Sequence, residues 1–301
     1  LNPSLAGRLR KLGLRVVRVE VGPGPGLSWA PVGDATEPKA GRWSAYARRD
    51  GASLGEALLP APLPRSAPPP AEVFFLATQD GAGVKLTRVL TQDLQRRLDP
   101  FLMLDAFGSD KPGDYIAGFP EHPHRGFETV SYMIKGSMRH KDSAGNEGLI
   151  TDGGVQWMTA GSGLVHEEFH GQSYAAQGGP FEMVQLWVNL PAKHKMTAPR
   201  YQGIESSQIP TVKLPHGYGT VRVIAGSYAG NFTDGYSQDS AQTEGPAQTF
   251  SPIHMWDMRL KASPREFELA VPDGYTTLLV VLKGTVQVKA SGMLQPIRAA
   301  E

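Results

Sequence analysis

The chain is punctuated too often to be helical. Short runs in which apolar and polar side chains alternate are closed repeatedly by glycine or proline, and 35 glycines and 25 prolines are spread through 301 residues. The stretch from Phe181 to Leu190 alternates cleanly and stops at Pro191, and Val84 to Leu90 alternates almost to its end. Thr129 to Ile134 runs into the turn Lys135-Gly136. Successive side chains of an extended strand point to opposite faces, so period two marks a strand rather than a helix. Thr220 to Ala225, Ile253 to Leu260, Phe267 to Ala270, Thr276 to Leu282 and Thr285 to Lys289 are further candidate strands. Amphipathic helical periodicity is scarce. The expected fold class is all-β, an antiparallel sandwich or barrel.

Two short motifs carry the chemistry. His122-Pro123-His124 and His166-Glu167-Glu168 each place ligand-type side chains at i and i+2, on one face of a strand. If the two strands pair or face each other inside a barrel, three imidazoles and a carboxylate converge. A lone His-x-His is more often a surface accident, but a second pair at barrel spacing turns it into a candidate metal site. Glu167 alternates with its neighbours and should face the other way. Cysteine is absent, so a metal can be held only by His, Asp, Glu or water, and no disulfide exists. That donor set suits a redox-active or Lewis-acid first-row metal with open positions. His140, His170, His194, His216 and His254 have no partner at ligand spacing and are expected in surface or packing roles. Trp157 and Trp187 are expected in the core.

Charge excludes other functions. Thirty basic residues against 29 acidic ones, formal net charge +1, make no electrostatic case for direct nucleic-acid binding. No apolar run approaches the ~18 residues of a membrane span. A cytoplasmic location is expected, in keeping with the lack of cysteine.

Composition divides the chain. Residues 1–78 read as a Gly/Pro/Arg-rich extension, poorly ordered, with six prolines between Pro60 and Pro70. Within it, Leu1 to Val21 carries Arg8, Arg10, Lys11, Arg15 and Arg18 with a single acid, Glu20, a pattern shared with transit presequences; a plain extension is the simpler reading. Residues 79–203 form a metal-binding domain and 204–301 a second domain, joined through Pro191 to Pro199 and Glu205 to Pro210. Tyr132-Met133-Ile134-Lys135-Gly136 and Val280-Val281-Leu282-Lys283-Gly284 hint at an internal duplication. The second copy has no His-x-His, so only the first domain is expected to hold metal.

His122-Pro123-His124-Arg125-Gly126-Phe127-Glu128 resembles the His-x-His-x3-Glu segment of cupins, and Gly161 to His166 resembles their second segment. Longer strings, Asp99 to Gly108, Phe119 to Thr129, Val155 to Gly163, Gln185 to Leu190 and Lys195 to Tyr201, are similar to the pirin family over roughly residues 80 to 290. The resemblance implies a bicupin of two antiparallel β-barrels (the double-stranded β-helix), with one metal in the N-terminal barrel. That metal is usually iron, here Fe(II), with Mn, Ni, Co, Cu or Zn as other candidates. The ligands carried over are His122, His124, His166 and Glu168, with Glu128 nearby as an orienting or proton-handling group. Some members act as quercetin 2,3-dioxygenases, and the human one is described as a nuclear transcriptional coregulator.

The function expected from the resemblance is O2-dependent cleavage of a flavonol, with Glu168 and Glu128 as candidate catalytic bases and Phe127, Met133 or Trp157 as substrate walls. The alternative is a non-catalytic, iron-binding redox sensor or coregulator with a protein partner. Two departures stand out. Gly153-Gly154 replaces the family's Gly-Asp turn, and the chain ends at Glu301 soon after Thr285 to Lys289, which predicts a truncated C-terminal barrel with unpaired edges.

Overall fold

Phe181–Asn189 is a strand without a wet face, and that decides where the rest of the molecule sits. Met183 and Gln185 point one way and Val184, Leu186 and Val188 the other, all of them buried. The computed structural model describes residues 14–21, 42–45, 71–74, 76–91, 94–214, 217–229, 242–261, 266–272, 275–290 and 293–298.

Three strands come first: β1 (Leu14–Val21), β2 (Arg42–Ala45) and β3 (Ala71–Phe74), the last two paired with each other. The N-terminal barrel follows as β4 (Leu76–Asp80), β5 (Val84–Leu90), β6 (Phe101–Ser109), β7 (Phe119–His124), β8 (Phe127–Lys135), β9 (Ser137–Asp142), β10 (Glu147–Thr151), β11 (Val155–Thr159), β12 (Leu164–Phe169), β13 (Phe181–Asn189) and β14 (Arg200–Ile204). A seven-stranded sheet, β14-β11-β8-β13-β6-β5-β4, packs with a four-stranded one, β10-β9-β12-β7, and the pairings are antiparallel. The fold is the all-β barrel expected from the alternation.

Each face of the larger sheet serves its own core. Inside the barrel, Val84, Leu86, Phe107, Phe119, Met133 and Phe181 pack together, with Phe107 edge-on to Phe119 at 5.9 Å. On the outer face, Val130, Tyr132, Trp157, Leu186 and Val188 meet Ile224, Ile253, Val281 and Ile297 of the C-terminal half. Burying each such aliphatic side chain contributes about 1.5–3 kcal/mol, so the seven-stranded sheet is held from both sides. Arg222 extends the contact by donating to the Tyr132 hydroxyl (2.9 Å) and to the Gly153 carbonyl (2.9 Å), while Tyr132 donates to Asp257 (2.6 Å). Gly153 has φ +79, and a Cβ there would meet Ser206 and the Arg222 guanidinium, so glycine is required at this turn. Asp152 ties the neighbouring turn by accepting from the Gly136 amide at 2.8 Å.

The C-terminal half contains β15 (Thr211–Lys213), β16 (Gly219–Ala225), β17 (Ser227–Tyr228), β18 (Thr243–Glu244), β19 (Met255–Leu260), β20 (Glu266–Pro272), β21 (Thr285–Ala290) and β22 (Met293–Arg298). Its sheets are β15-β16-β19, β17-β18 and β20-β1-β21-β22. β1 thus lies between β20 and β21, in register from Leu14 opposite Pro272 to Glu20 opposite Glu266. The expected extension therefore contributes strands. Val17-Arg18-Val19-Glu20-Val21 alternates strictly with β-branched residues, a signal masked by the arginine content around it. Most of residues 1–70 lie outside the described residues, including the proline-rich stretch.

Thr276 to Leu282, expected as a strand, forms none. Leu278, Leu279 and Val280 pack against the core between the two halves and Val281 is buried in it, so packing rather than a ladder accounts for this apolar run. No helix among the described residues is long and apolar enough to cross a membrane.

Candidate metal centre

The register of β7 and β12 builds the site. His166 lies directly opposite His122, and Leu164 opposite His124. Strand parity puts His122 with His124, and His166 with Glu168, on the face that looks into the barrel. The candidate ligand atoms of His122, His124 and His166 all lie within 4.8 Å of one another, and only His122 is partly exposed. The Nε2 atoms of His166 and His122 are 3.0 Å apart. A proline carbonyl can only accept, so the Nδ1 of His122, 2.8 Å from Pro120 O, carries its proton and turns the Nε2 lone pair inward.

Burial keeps the inner imidazoles neutral. It pushes His124 down to about 4, helped by the nearby His122. It pushes His166 down to about 2, with His122, His124 and His140 adding to the effect. Neutral imidazole is the form that binds metal, and three imidazole nitrogens around one point match a first-row divalent ion. The residues present therefore fit the implied metal.

Glu168 sits on the same face of β12 as His166, fully enclosed. One carboxylate oxygen accepts from the Gln156 amide and from Ser131 Oγ (3.3 Å), the other from Gln185 Nε2 (3.0 Å). Burial raises its pKa against the opposing pull of His140, His122, Gln185 and Ser131. The structure does not bring Glu128 to the histidines. It projects from the opposite face of β8 to Phe127 and Ser131, and its Oε1 accepts from Thr159 Oγ1 at 2.8 Å. Burial raises its pKa too, against the opposing pull of Thr159, Trp157 and Arg200.

Of the three expected wall residues, Phe127 lies beside His124 at 5.1 Å. Met133 lies in the inner apolar core instead. Trp157 points to the outer face because its neighbours Gln156 and Met158 point inward. Its place at the site is taken by Trp187, 5.2 Å from His124 and 4.6 Å from Phe127.

Comparison with known proteins places this geometry. A family model described as Pirin matches residues 83–188. A "Pirin-like protein" of Caulobacter vibrioides is 46% identical over 212 residues, 70% of this chain and 71% of that protein. The chain belongs to the pirin family. A Pseudomonas aeruginosa pirin relative named "Putative quercetin 2,3-dioxygenase" is 47% identical over 210 residues, 70% of this chain and 69% of that protein. The crystal structure of quercetin 2,3-dioxygenase from Acinetobacter baumannii aligns with a TM-score of 0.52 at 44% identity, covering 61% of this chain and 60% of that one. The chain thus spans between 60% and 71% of the length of these relatives.

Three of the strings that resemble pirins line the site. Phe119 to Thr129 builds β7 and enters β8, Val155 to Gly163 builds β11 and the turn into β12, and Gln185 to Leu190 ends β13. Other residues of this pirin site escaped the sequence reading. His140, expected in a surface or packing role, is wholly buried, with its Nδ1 3.2 Å from the Nδ1 of His166. His140-x-Asp142 has the same i, i+2 spacing as the ligand pairs, and that was the available signal. Gln156, Gln185 and Ser131 gave none, because polar residues in a strand usually face solvent.

Proposed function

We propose that this pirin-family protein is a metal-dependent dioxygenase that opens flavonols of the quercetin type with O2. His122, His124, His166 and Glu168 are its proposed ligands and Fe(II) its proposed metal. The observation that carries the reading is the convergence of three imidazoles, two of them buried and neutral, at a point bordered by Phe127 and Trp187. A divalent metal bound there supplies Lewis acidity toward a phenolic oxygen and open positions for O2.

The chain's own residues do the rest. His122, the partly exposed member, marks the open side of the site. Phe127 and Trp187 offer apolar ring surface to a flat aromatic substrate beside His124. Glu168, with its raised pKa, is the proposed acceptor of the 3-hydroxyl proton. Gln156, Gln185 and Ser131 hold its carboxylate in place for that task. Glu128, behind the sheet with Thr159, supports β8 and β11, which carry this wall.

The test is aerobic incubation of the iron-loaded protein with quercetin. The expected result is loss of the flavonol's visible absorbance with release of one carbon monoxide per ring opened. Absence of turnover with iron, manganese, nickel, copper and cobalt alike would overturn the dioxygenase reading and leave metal binding without catalysis.

A further inference from the structure

We propose that His140 and Asp142 form a buried relay that locks His166 in its Nδ1–H tautomer, and so keeps the Nε2 lone pair of His166 facing the metal position. The inference rests on the metal site proposed above. β9 lies beside β12, with Asp142 opposite His166 and His140 opposite Glu168. The spacing of His140 and Asp142 sets both on the inner face of β9. His166 Nδ1 is 3.2 Å from His140 Nδ1, and His140 Nε2 is 3.0 Å from Asp142 Oδ2. All three side chains are buried.

Only one order of protons suits a metal. Asp142 Oδ1 accepts from the amides of Ala144 and Asn146 and from Asn146 Nδ2, which also reaches Oδ2. A carboxylate with that many donors is an acceptor, so His140 must present Nε2–H to it. With that proton on Nε2, His140 offers its lone pair at Nδ1, and His166 must donate to it from Nδ1–H. The remaining lone pair of His166, on Nε2, faces His122 Nε2 at 3.0 Å. The reversed order would put an N–H of His166 at the centre and exclude the ion. Partners of this kind behind a ligand fix its orientation and raise its basicity.

The ring plane of His140 is fixed as well. Tyr201 stacks on it at 4.6 Å with 14° between the planes. Gly148 pairs with His140 across β10 and β9, and a Cβ at 148 would run into the Tyr201 hydroxyl. Glycine there is what admits the stacked ring. His140 and Asp142 are thus positioning residues, two and three steps from the metal position.

The decisive experiment is a long-range 1H–15N spectrum of the histidine-labelled full chain loaded with Zn(II). His140 is expected as the Nε2–H tautomer and His166 as Nδ1–H; an Nδ1–H tautomer for His140 overturns the proposal. A second arm uses His140→Phe, which keeps a ring against Tyr201 but can neither accept nor donate. Zinc should still bind at one equivalent but about 10–100-fold more weakly. Unchanged affinity in a folded His140→Phe protein also overturns the relay. If the unsubstituted protein fails to bind one zinc, the metal-site reading itself falls, which separates the two failures. Should His140→Phe not fold, the tautomer spectrum alone decides.

Discussion

His124→Ala leaves a folded protein that no longer retains one equivalent of metal through gel filtration, and its oxidation of quercetin falls to the metal-free background. His124 is buried and contacts both partners, with ring centroids 4.7 Å from His122 and 4.8 Å from His166. Removing it deletes one of three imidazoles from a chain without cysteine, and no other histidine stands within the group of converging ligand atoms among the described residues. Losing a partner behind a ligand typically costs about 10–100-fold in affinity, so losing the ligand itself should cost more than that. The fold should survive, since the buried His124 ring is neutral and its loss strands no charge. Elemental analysis of the purified variant is the check. Metal held at full stoichiometry would refute the ligand assignment.

Trp157→Ala should destabilise the protein by about 3–5 kcal/mol, the usual cost of emptying a large aromatic site in a core. Trp157 has 0% exposure and sits in the core shared by the seven-stranded sheet and the C-terminal half. Its indole N–H also helps hold the Glu128 carboxyl, so the loss combines packing and apolar burial with that polar contact. Urea denaturation followed by far-ultraviolet circular dichroism measures it. A loss below about 1 kcal/mol would mean that the surrounding side chains close the gap. Turnover per bound metal should change much less than stability, because Trp157 faces away from the histidines.

The same parity explains how far the sequence could be read. Phe181–Asn189, Val84–Leu90 and the strand ending at Lys135 were legible because alternation is local and needs no partner. The three-histidine cluster was equally legible: His122 with His124 is an i, i+2 pair, His166 opens a second such pair, and the absence of cysteine restricts the donors. Alternation shows that neighbours oppose each other but not which side is inner. In a sheet buried on both faces, apolar content cannot break the tie. Glu128 and Trp157 therefore fall on the outer face, while Phe127, Gln156 and Trp187 take the inner one.

The sequence by itself determined an all-β chain, its pirin-like motifs and a three-histidine motif able to hold a metal, because strand periodicity and ligand spacing are properties of a few consecutive residues. Only the tertiary structure decided what stands around that motif. His140 reaches His166 through the pairing of β9 with β12, the glutamines reach Glu168 from β11 and β13, and β1 enters a sheet made from the other end of the chain. Each of these depends on the register between strands distant in sequence, and register is set by burial and pairing across the whole fold.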